Sequence, residues 1–104
     1  GFNINFPLVP GTGDDEYLQT VDSAIASIKQ FSPDALVIAL GLDAYEGDPL
    51  SGLAISTDGF ARIANQIAAM ALPTVIVQEG GYLAEELGQN LSSFLEGFMS
   101  SHKC

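Results

Sequence analysis

Two residues stand where they could do chemistry. In "ALVIALGLDAYEGDPL", residues 35–50, an apolar run meets Gly41 and then Asp43. In "PTVIVQEGGYL", residues 73–83, a second apolar run meets Gly80, Gly81 and Tyr82. A carboxylate just past a buried strand can ligate a metal, serve as a general base, or cap local backbone amides. A phenol after two glycines can pack into a core, or donate a hydrogen bond to a developing oxyanion. Paired glycines let the backbone approach a neighbour closely and leave the ring free to be aimed. Position alone leaves these alternatives open. Asp48, followed by Pro49, reads as a turn residue bonding its own loop, and Glu79 as a holder of the loop after its strand or a partner of a backbone amide.

The elements that must position these groups follow from periodicity. "FNINFPL" reads as a short extended segment ended by Pro7 and Pro10. A helix is predicted over 14–31, with Leu18, Val21, Ile25 and Ile28 on one stripe and Asp14, Asp15 and Glu16 in its first turn. Ser32-Pro33 ends it. Residues 35–40 form a continuous apolar run, the pattern of a strand buried on both faces. A helix over 58–71 follows, with Ser56 or Thr57 as its N-cap. A strand over 74–78 comes next, then a helix from about Ala84 with Leu87, Leu91, Phe94, Leu95 and Phe98 inward. The order α-β-α-β-α implies parallel strands joined by a crossover. In such sheets ligands bind beyond the carboxyl ends of the strands. Asp43 and Tyr82 would therefore project into one crevice.

Composition narrows the function. The 104 residues allow one core, and a chain that is 47 % hydrophobic but 15 % charged is a folded body. No stretch nears the ~18 apolar residues that a membrane span needs. Thirteen acidic residues against three basic ones give a net charge of −10, which disfavours nucleic acid and anionic membrane as partners. Cys104 is the only cysteine, so no internal disulfide forms and a cytoplasmic setting is the default. "PGTGDDE" imitates a dinucleotide fingerprint, but Glu16 replaces the third glycine and the acids of that turn repel a pyrophosphate. The single histidine, His102, reads as a solvated tail residue, which leaves no base for a Ser-His-Asp or Cys-His site.

"PDALVIALGLDAYEGDPLSGLAIS" and "LPTVIVQEGGYLAEELGQNLSSFLEGF" together resemble the C-terminal part of the histone deacetylase / acetylpolyamine amidohydrolase superfamily. The likeness is to its bacterial deacetylase-like amidohydrolases and the class II type, and "PLVPGTGDDEYL" is similar to the segment between the core motifs. The resemblance implies an α/β fold: a three-layer α/β/α sandwich around a parallel sheet. It implies that Asp43 is one of three protein ligands to a catalytic Zn2+. It also implies that the Tyr82 hydroxyl meets the substrate carbonyl, that Leu50 lines the mouth of the acyl-lysine tunnel, and that Gly81 lies along its wall. The implied reaction is zinc-dependent hydrolysis of an acetyl-lysine or acetylpolyamine amide, with the acetylated amine as partner and a homo-oligomer allowed.

The family's paired histidines and its Asp-x-His motif lie upstream of these residues and are absent here. Residues 1–104 are accordingly expected to be the C-terminal segment of a single catalytic domain, inactive alone. The alternative is a non-catalytic α/β remnant serving as a binding or interaction module.

Overall fold

The computed structural model describes residues 3–47, 52–81 and 85–102. Helix α1 (Asp14–Phe31) begins after Gly13, which contributes no side-chain cap. Its first-turn acids complement the positive end of the helix dipole instead. It stops at Ser32, where φ is 58° and the amide donates back to the Ile28 and Lys29 carbonyls. Pro33 disfavours a helical conformation in the residue before it, which explains the stop.

Strands β1 (Leu36–Gly41) and β2 (Thr74–Gly80) pair in parallel, with Leu36 opposite Thr74 and Leu40 opposite Gln78. The register then slips, and Gly41 lies opposite Gly80. Between them runs the crossover helix α2 (Thr57–Ala68), the connection that parallel neighbours require. Ser56 is its N-cap, its hydroxyl oxygen accepting from the Gly59 amide at 3.0 Å. Helix α3 (Leu87–Ser101) packs along α2. The approach is close because residue 97 has no side chain: a Cβ there would stand 2.7 Å from the Ala61 Cα.

The core lies between the helices and one face of the sheet. Leu40, Phe60, Ile63, Ala64, Phe94 and Phe98 form it, with Ile38 and Ile76 packed against it. Burying a Phe, Leu or Ile side chain contributes about 1.5–3 kcal/mol, so this cluster is what orders the segment.

Three expectations change. The strands are not buried on both faces: Val37 is 71 % exposed and Val75 59 %, because no described element lies over that side of the two-stranded sheet. Leu95 turns outward, at the edge of the α3 stripe. His102 is no free tail residue. It caps α3, stacks on Phe98 at 5.0 Å, and its Nε2 lies 2.7 Å from the Leu72 carbonyl oxygen. A ring that close to α3 gains contact with Phe98 and the loop before β2. Residues 3–9 join no sheet. Among the described residues no helix is long and apolar enough to cross a membrane.

Candidate functional site

At the end of β1 the chain enters a single 3-10 turn, Leu42–Ala44, closed by the Tyr45 amide donating to the Leu42 carbonyl at 3.3 Å. Leu42 is 1 % exposed and anchors the turn in the core. Its neighbour Asp43 is thereby carried to the outside. The Asp43 carboxylate takes no hydrogen bond or ion pair among the described residues. Among the described residues the capping alternative has no bond to stand on.

What surrounds the carboxylate is missing side chain. A Cβ at Gly41 would lie 2.7 Å from Asp43 Oδ1, and one at Gly80 would lie 3.2 Å from both Oδ1 and Cγ. The two strands thus end in a cradle without Cβ atoms, and the carboxylate rests in it. Gly81 has a different duty. Its φ is +101°, a region that side-chain-bearing residues rarely adopt, and a Cβ there would stand 2.8 Å from Leu42 Cβ and 3.1 Å from the Asp43 nitrogen. The end of β2 is pressed against the turn that carries Asp43. Structure and sequence agree that the paired glycines serve close approach, and the neighbour approached is the Asp43 turn. Tyr82, Leu50 and Asp48 lie outside the described residues.

Tyr17 is a neighbour that sequence reasoning missed. It lies on α1, half-buried against the core and beside Gly41 and Ala44. Burial first, and the Asp43 charge second, push its phenol above the usual tyrosine range, so it is neutral in this setting. Its signal was present in the spacing: Tyr17, Val21, Ala24 and Ile28 also recur at helical intervals.

Zinc accepts carboxylate oxygen as a ligand, and Asp43 fits that role on the structure's own terms: the carboxylate is exposed, not engaged by hydrogen bonds among the described residues, and cradled without obstruction. It is one donor. No three metal-ligating side chains converge among the described residues, so further ligands would have to come from elsewhere.

A sequence profile described as "Histone deacetylase domain" matches residues 1–98. The chain belongs to the histone deacetylase family. This deacetylase-family chain is 48 % identical over 98 residues to the acetylpolyamine amidohydrolase of Burkholderia pseudomallei, covering 94 % of the chain and 29 % of that relative. It is 40 % identical to acetylpolyamine amidohydrolase 1 of Pseudomonas aeruginosa, again over 94 % of the chain and 28 % of the relative. A crystal structure of acetylpolyamine aminohydrolase from Burkholderia pseudomallei superposes with a TM-score of 0.94 and 46 % identity, covering 99 % of this chain and 30 % of that one. The α/β deacetylase fold expected from sequence is therefore the fold of the segment. The chain spans less than a third of the length of these relatives.

Proposed function

We propose that residues 1–104 are the C-terminal segment of a catalytic domain that hydrolyses N-acetyl amides of lysine-like or polyamine-like amines with zinc. The observation that carries this reading is the Asp43 carboxylate, held over Gly41 and Gly80 at the carboxyl end of a parallel strand and left without a hydrogen bond among the described residues. A carboxylate that merely shaped a loop would spend its oxygens on local amides. The names of the relatives point the same way, toward an acetylated small amine.

In this reading Asp43 is one protein ligand of the zinc. When bound, the metal supplies Lewis-acid polarisation of the amide and activation of water. The Tyr82 hydroxyl donates to the carbonyl oxygen as negative charge develops there, while Leu50 and Gly81 shape the passage for the acyl chain. Gly81 suits a wall because it keeps the backbone tight against Leu42.

The bare side of the sheet supports the domain assignment. Val37, Val75 and Val77 are exposed together on the sheet, and away from it a groove of about 560 Å3 opens between Ile4 and Phe6 and the Ala24, Ile28 and Phe31 side of α1, with Ser27 and Gln30 also in its lining. Apolar surface of this extent is what a larger domain would cover.

The test uses the full-length protein that carries this segment. Tyr82→Phe is expected to lower kcat by ~10²–10³ with zinc content and melting temperature held, and Asp43→Ala to lose zinc and activity together. Wild-type kcat in Tyr82→Phe, or stoichiometric zinc in Asp43→Ala, would overturn the assignment of that residue.

A further inference from the structure

The segment that imitates a dinucleotide fingerprint has another task. Its backbone runs beside residues 54–56: Gly13 bridges Ala54, the Ala54 amide donates to the Thr12 carbonyl at 2.8 Å, and the Gly11 amide donates to the Gly52 carbonyl. On the other side the same residues 54–56 meet the turn after β1. The Ile55 amide donates to the Ala44 carbonyl at 3.0 Å, and the Glu46 amide donates to the Ile55 carbonyl at 2.8 Å. Ile55 is fully buried between the two. Residues 54–56 are therefore a bar clamped from both sides, and Ala44 on one side is the direct neighbour of Asp43.

The clamp ends in a carboxylate. Asp14 Oδ1 accepts from the Ser56 amide at 2.8 Å, and its Oδ2 accepts from the Ser56 hydroxyl at 2.5 Å. That hydroxyl oxygen in turn accepts from Gly59 at 3.0 Å and caps α2. The fit leaves no spare room, since a Cβ at Gly59 would collide with the Asp14 carboxylate, at 2.6 Å from its Cγ. Hydrogen bonds to a carboxylate are among the stronger ones, and here one side chain fixes the start of α2 and the inner end of the loop that leaves Asp43.

We propose that Asp14 is a positioning residue for the deacetylase site: acting through Ser56, it holds the bar 54–56 and thereby the turn that carries Asp43. The assignment rests on the proposed function for its catalytic consequence only. The consequence is large because misplacing a reacting group by about 1 Å can cost on the order of a hundredfold in rate.

The experiment compares Asp14→Ala and Asp14→Asn with the wild type in the full-length protein. Asn keeps an acceptor for the Ser56 amide, so it carries the test if Ala prevents folding. Amide hydrogen exchange is read at Glu46 and Ile55, with α3 amides as the internal reference. The expected result is protection lost at Glu46 and Ile55 but retained in α3, with Asn milder than Ala. On an acetylated amine reporter, kcat per zinc-loaded molecule is expected to fall by about tenfold or more with KM little changed. Unchanged protection at Glu46 and Ile55 overturns the proposal whatever the activity. Lost protection with normal kcat reduces Asp14 to a structural cap and also overturns it. A wild type inert toward acetylated amines sinks the functional reading instead, and hydrogen exchange alone then decides the clamp.

Discussion

Gly80 lies against the carboxylate of Asp43, close enough that a methyl group on its Cα would meet Oδ1 and Cγ at 3.2 Å. A side chain on β2 would thus crowd a carboxylate on the turn after β1, and the pair can be probed from the glycine side. Gly80→Ala is expected to displace Asp43 by a few tenths of an ångström, weakening the zinc binding proposed for the full-length protein while costing about 1 kcal/mol or less in stability. Gly81→Ala should behave differently. Its positive φ and the Leu42 backbone both oppose a Cβ, so a loss of about 2–4 kcal/mol is expected. Zinc titration and urea unfolding of the two variants separate the roles; equal stability losses would show that both glycines serve backbone fit alone.

The contact between Gly97 and Ala61 sets the spacing of α2 and α3. Gly97→Ala gains helix propensity, about 1 kcal/mol at most, but drives its methyl into Ala61 backbone atoms. Overpacking of this kind costs about 1–3 kcal/mol, so the net change should be destabilising. A raised urea midpoint for Gly97→Ala would contradict the close approach.

Tyr17 predicts a signature at high pH. Its phenol is raised in the folded chain by burial and then by Asp43, while an unfolded tyrosine ionises near ~10. The folded state therefore holds this proton more tightly. The associated stability is fully present below pH ~10 and is lost as pH rises through the folded value. Tyr17→Phe should flatten the decline of the urea midpoint above pH ~10. Asp43→Asn should lower the Tyr17 ionisation only part of the way, because burial is the larger cause. A decline as steep in Tyr17→Phe as in wild type would mean that other groups carry it.

The uncovered side of the sheet gives a test of the domain assignment. Val37→Lys and Val75→Lys are expected to leave the isolated segment as stable as before, since both valines are exposed. In the full-length protein the same changes should cost roughly 2 kcal/mol or more each, as a buried valine is lost and a charge is buried without a partner. Neutral behaviour in both settings would mean that nothing covers this side.

Much of this was legible in the sequence for physical reasons. Helix α1 keeps the expected 14–31 limits because Pro33 fixes its end and its acids fix its start. Ser56 was one of two named caps, and its hydroxyl does cap α2. Asp43 was singled out by its place after β1. The reach of Asp14 to Ser56 was not legible, because a contact across 42 residues leaves no local period to read. His102 was misread for a related reason: the carbonyl of Leu72 that holds it is distant in sequence. The exposed valines look the same in sequence whether or not a neighbour covers them.

The slip in register between β1 and β2 has an electrostatic meaning. Leu40 faces Gln78, so an unbroken ladder would set Gly41 opposite Glu79; the extra residue sets Gly80 there instead. With the unbroken ladder, a second carboxylate would stand at the strand ends beside Asp43. That carboxylate would take up the side-chain-free space that Gly80 leaves against Asp43, and two like charges so close repel each other. One inserted residue in β2 thus substitutes an uncharged, side-chain-free neighbour for a competing acid.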